Sequence, residues 1–188
     1  SPPSLLVQRF VTDASERVAR SFSRRLGYLH ESKQAQQIVE DWLKPEGLLG
    51  NVTGLSSLKR EMLENVSPVN QRAALNAVLR AVETPDFVAI TNSSRALTAR
   101  LLRSLAYEPD LFDEAVSALL KLALAEPDGY KSDSTRDILQ SLFCVYLSGT
   151  LASPEQRAAF VRTLAFSGDA AEQKLALTLL RAGLESHH

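Results

Sequence analysis

Small polar residues able to cap a helix recur along this chain, each followed by apolar positions three and four residues apart, and almost no segment alternates as a strand does. The clearest start is Ser153-Pro154-Glu155-Gln156. Ser153 can cap, Pro154 suits the first helical position because it has no N–H to leave unpaired, and Gln156 is placed to reach back and complete a capping box. Asp169-Ala170-Ala171-Glu172 and Asp13-Ala14-Ser15-Glu16 follow the same logic. Further starts fall at Ser32, at Gly54 or Ser56, at Asn70, at Ser93 or Ser94, at Asp110 and at Ser134, which predicts an all-α chain of about nine helices with a short one before Asp13.

Each segment carries one apolar stripe, so one face is expected to be buried and the other solvated. The stripes are Val18, Phe22, Leu26 and Leu29; Ile38, Val39 and Leu43; Leu75, Val78, Leu79 and Val82; Leu97, Leu101 and Leu105; Phe112, Val116, Leu119 and Ala123; Leu139, Leu142, Phe143 and Tyr146; Phe160, Val161 and Leu164; and Leu175, Leu179 and Leu180. Counting every second start gives intervals of 38 residues from Ser32 to Asn70, 40 to Asp110 and 43 to Ser153. These lie near the roughly 40 to 47 residues of HEAT and armadillo units and above the roughly 34 of tetratricopeptide repeats. The expectation is a HEAT/armadillo-like α-α superhelix forming one helical-repeat domain over residues 1–183, with a compact irregular helical bundle as the alternative. Lys44 to Gly54 and Pro127 to Asp133 read as loops between repeats.

Composition removes several classes of function. Twenty-one basic residues balance 22 acidic ones to a formal charge of -1, so no domain-wide positive field exists to hold nucleic acid or an anionic membrane. The single Cys144 can form neither an internal disulfide nor a multi-thiolate metal site, which fits a reducing cytoplasm. No run approaches the roughly 18 to 20 apolar residues of a membrane helix, and Ser1-Pro2-Pro3 lacks the features of a secretory signal. Residues 184–188, Leu184-Glu185-Ser186-His187-His188, resemble a cloning scar and tag remnant, leaving His30 as the natural histidine.

The remaining candidates are local. Gly47-Leu48-Leu49-Gly50-Asn51-Val52-Thr53-Gly54 has the glycines of a phosphate cradle, but no Gly-Lys-Ser/Thr follows and no strand precedes, so a structural loop is the expectation. His30 has no companion ligand nearby. Asp41 and Trp42 pair an acid with an aromatic, as some helical-repeat DNA glycosylases do, yet adjacent helical positions point about 100° apart. Arg17, Arg20 and Arg24 share one face, with Arg25 adjoining, and Arg95, Arg100 and Arg103 form a second cluster; such faces can contact a polyanion or an acidic partner. No catalytic, metal or cofactor-binding set emerges.

Three stretches resemble a known family. They are Arg24-Arg25-Leu26-Gly27-Tyr28-Leu29 leading into Leu43; Gly47-Leu48-Leu49-Gly50 with Asn65-Val66-Ser67-Pro68-Val69; and Ser141-Leu142-Phe143 through Tyr146-Leu147-Ser148-Gly149-Thr150 to Ser153-Pro154-Glu155-Gln156-Arg157. Together they resemble the helical region downstream of the nucleotide-binding module in large bacterial signal-transduction ATPases of the STAND type, some of them implicated in defence against phage. The resemblance implies a fragment of a larger cytoplasmic protein, in which an upstream P-loop module switches state and the helices sense a ligand or partner. That partner would be a protein or another domain of the same polypeptide rather than a membrane or a nucleic acid. The family's Walker A lysine and Walker B acid have no counterpart here, so no functional residue carries over. Two other readings remain: a helical-repeat nucleic-acid-binding or base-repair protein, and a stand-alone interaction scaffold.

Overall fold

A computed structural model describes residues 16–84, 87, 92–127, 134–145 and 148–184. Among them are nine α-helices and no strand: α1 (Glu16–Gly27), α2 (Lys33–Leu43), α3 (Ser57–Val66), α4 (Gln71–Val82), α5 (Asn92–Leu105), α6 (Pro109–Leu124), α7 (Thr135–Ser141), α8 (Pro154–Ala165) and α9 (Ala170–Leu184). Short 3-10 turns occupy Val52–Gly54 and Ser67–Val69. The start predicted at Asp13 to Ser15, the short helix before it, residues 128–133 of the loop predicted after Pro127, Tyr146 and residues 185–188 lie outside the described residues.

Capping chemistry sets most of the starts. The side chains of Ser32, Ser56, Asn70, Ser134 and Ser153 each accept a hydrogen bond from a backbone N–H three residues on, and the Asp169 carboxylate accepts from Ala171 and Glu172. Two starts differ from expectation. Helix α6 begins at Pro109, one residue before Asp110, with Glu108 as an N-cap that makes no side-chain bond; Pro109 needs no partner for an N–H it lacks. Helix α5 begins at Asn92 rather than Ser93 or Ser94. The capping box at Ser153 is also half-made: the Gln156 amide donates instead to the Pro109 carbonyl at 3.0 Å, tying α8 to the start of α6.

The chain divides into two compact units, Ser1–Phe87 and Val88–His188. In the first, alternate helices lie together, α1 against α3 and α2 against α4. The face that α1 buries is Ala19, Ser23 and Leu26; of the predicted stripe only Leu26 is buried, while Val18, Phe22 and Leu29 are exposed. Small residues let the α1 backbone approach α3, and the buried Ser23 hydroxyl is satisfied on both sides, accepting from Asn65 Nδ2 at 3.0 Å and donating to the Arg20 carbonyl. In the second unit α6 is the hub, lying against α5 and α7. Nine of its 16 residues are buried, from Leu111 to Ala123, because its apolar positions run almost all round the helix. An aromatic line crosses this core, Phe112 to Phe143 at 6.0 Å between centroids and Phe143 to Phe160 at 5.8 Å. Helices α8 and α9 form an adjacent pair beside it.

Candidate functional site: an apolar groove between two helices

The arginine face predicted on α1 is largely committed within its own unit. Arg20 Nε lies 2.7 Å from Glu61 Oε2 and its Nη2 lies 3.1 Å from Glu16, while Arg24 Nη2 reaches Glu61 Oε1 at 3.1 Å. The Glu61 hydrogen bond holds the Arg20 guanidinium more firmly protonated, against a smaller opposing effect of burial. One carboxylate from α3 thus binds two of the three arginines, 41 and 37 residues away in sequence, and Arg17 is exposed beside them. Ion pairs this exposed contribute little to stability and respond to salt. Replacing Arg20 and Arg24 with Ala is therefore expected to leave the salt concentration of elution from heparin nearly unchanged, whereas a clear shift to lower salt would make them a polyanion contact. The second cluster does not assemble either, since Arg95 is buried while Arg100 and Arg103 are exposed.

The glycine-rich loop turns out to close a helix. Leu49 N–H donates to the Trp42 carbonyl at 2.8 Å and Gly47 N–H to the Lys44 carbonyl at 2.7 Å, so these amides satisfy the open end of α2. A Cβ on Gly47 or Gly50 would overlap the backbone carbonyls of residues 41–45, which is why glycines stand there. Arg80 of α4 also donates to the Leu43 carbonyl.

Asp41 and Trp42 diverge as their spacing requires. Trp42 is buried, its ring 6.0 Å from that of Phe22, with an indole N–H lacking a partner among the described residues. Asp41 faces solvent, paired with Lys44 at 2.7 Å. The Lys44 hydrogen bond and charge hold the Asp41 carboxyl below its usual range, and the same bond raises the Lys44 ammonium. Folding depresses the Asp41 value, so the pair's contribution is present above the ordinary Asp range near pH 4 and is lost as pH falls through the lower folded value. By NMR titration Asp41 is expected to have its midpoint below that range and to return towards it in Lys44→Met.

His30 is exposed, three residues beyond the end of α1, and among the described residues no group of three or more His, Cys, Asp or Glu could hold a metal. A polar hollow of about 320 Å³ lies between α2 and α4, lined by Glu40, Lys44, Asn70, Arg72, Asn76 and Arg80 among others. Lys44 and Arg80 there already bind Asp41 and the Leu43 carbonyl.

What sequence reasoning missed is an apolar groove of about 360 Å³ between α8 and α9. Small residues line it: Pro154, Ala158 and Ala165 on α8, and Gly183 on α9, where a Cβ would come 3.3 Å from the Phe143 carbonyl. Phe143, Val145 and Val161 line it, with Leu180 and Leu184 of α9. Arg157 fixes the adjoining turn, its Nη1 donating to the Cys144 carbonyl at 2.7 Å.

Helix α9 is apolar on two faces. Leu175, Ala176, Leu179 and Ala182 are buried, whereas Leu177, Leu180 and Leu184 are 67%, 48% and 75% exposed. The exposed leucines are three and four residues apart and so form a second stripe. The extra leucines were visible in the sequence; a helix with one buried face needs fewer of them. Compared with known protein families, curated proteins and solved structures, the chain matches none.

Proposed function

We propose that this chain is a non-catalytic helical interaction region of a larger protein, and that its partners are other proteins or other parts of the same polypeptide. The observation that supports this reading best is the second apolar face of α9, which the fold of its own unit leaves uncovered. Solvating three leucines at this spacing is unfavourable, and covering them with another helix is the way such faces are stabilised in stacked helical repeats. Together with the resemblance described above, the reading becomes that of a HEAT-like sensor region in a cytoplasmic bacterial signalling or defence ATPase of the STAND type. No helix among the described residues is long and apolar enough to cross a membrane.

The ATPase part of the reading has a direct test. The gene encoding this chain is expected to specify, upstream of Ser1, a Gly-Lys-Ser/Thr loop following a strand, and the purified chain itself is expected not to hydrolyse Mg-ATP. Hydrolysis by the chain alone would replace the interaction reading with an enzymatic one.

A further inference from the structure

The groove between α8 and α9 has chemistry that selects its occupant. Among the described residues that line it, Arg157 and Arg162 are the charged ones and none is a carboxylate. Among the described residues the acid adjoining the lining in sequence, Glu155, has its carboxyl held below the usual range by its own backbone N–H and then by the Ser153 hydroxyl, which keeps it at the start of α8. On α9, Lys174 and Arg181 flank the exposed leucines and are themselves exposed. The surface is an apolar slot with a basic rim.

A second copy of the chain fits this slot poorly. Among the described residues the helical faces with exposed apolar rows are those of α1, with Val18, Phe22 and Leu29 just beyond its end, and of α9 itself. Arg25 falls in the middle of the first, and Lys174 and Arg181 border the second, so self-pairing would set cations against a basic rim.

We propose that the groove receives an amphipathic α-helix of a different protein, inserting apolar side chains at i, i+3 or i+4 and i+7 while flanking Asp and Glu residues meet Arg162 and Arg181. This rests on the interaction reading above and adds the charge of the partner. Ala158 sets the depth of the slot and Arg162 its charge preference, and both are exposed, so they can be changed without opening the core.

The test uses the full chain and three fluorescein-labelled synthetic helical peptides of about 18 residues: one with a leucine row flanked by Glu, one with the same row flanked by Lys, and a scrambled Glu peptide. Fluorescence anisotropy is expected to show the Glu-flanked peptide binding at least about tenfold more tightly than the Lys-flanked one, with no saturable binding of the scrambled peptide. Ala158→Leu is expected to weaken that binding about tenfold or more by filling the slot, and Arg162→Glu to cancel or reverse the preference. Circular dichroism on both variants checks that they are folded. Equal, Ala158-dependent binding of both helical peptides would leave a docking face while overturning the acidic partner. Failure of both to bind a folded chain would overturn the interaction reading as well. Sedimentation as a dimer that Ala158→Leu returns to monomer would make a second copy the occupant and contradict the proposal.

Discussion

Phe112→Ala is expected to lower unfolding stability by about 3–5 kcal/mol in urea denaturation, the usual cost of truncating a fully buried aromatic. Phe112 sits on α6, the most buried helix of its unit, and its ring meets Phe143, which in turn meets Phe160. Removing the ring leaves a cavity bounded by helices that the rest of α6 holds in place, so little of the space can be recovered by collapse. Phe143 also lines the α8–α9 groove. Phe112→Leu, which keeps most of the volume, is expected to cost clearly less. A loss under about 1 kcal/mol for the alanine variant would mean that α6 is not the hub described above.

Glu126→Gln should be the next most damaging change, by about 2–3 kcal/mol, measured in the same way. Glu126 is buried just after α6, and its two carboxyl oxygens accept from three donors at the start of α7: Thr135 N–H at 2.8 Å, the Ser134 hydroxyl at 2.9 Å and Arg136 N–H at 3.3 Å. The two N–H groups are amides that a short helix leaves open at its N-terminus. Glutamine keeps the shape but turns one acceptor into a donor, so an N–H would face other donors in a buried place. Arg136 closes the other side of the joint, donating to the carbonyls of Ala123 and Glu126. Arg136→Ala would lose those bonds without creating such a clash, and is expected to cost less than Glu126→Gln.

The helices were legible in the sequence because a cap is local chemistry, a side-chain oxygen and an N–H three residues apart, as at Ser32, Asn70, Ser134, Ser153 and Asp169. Burial was less so. The predicted stripe of Val18, Phe22, Leu26 and Leu29 keeps only Leu26 inside; α1 buries Ala19 and Ser23 beside it, because close backbone approach to α3 rewards small residues that a hydrophobicity pattern undervalues. Pairings across long separations were not visible. Glu61 takes up Arg20 and Arg24, and Gln156 abandons its local box for Pro109, each across roughly forty residues. The groove was hidden for a related reason. Ala158, Ala165 and Gly183 are unremarkable in a helix, and they become a slot only when α8 and α9 are laid together.

Helix α9 has one face that folds its unit and another that is surplus to folding. Thermal unfolding of the double variant Leu177→Gln, Leu184→Gln, followed by circular dichroism, tests that division most directly. An unchanged melting temperature, within about 2 °C of the original, is the predicted result, since Leu177 and Leu184 already expose 67% and 75% of their surface and glutamine is close to leucine in helix propensity. A fall of about 8 °C or more would place the outer leucines in the core and contradict the assignment of this face to a partner.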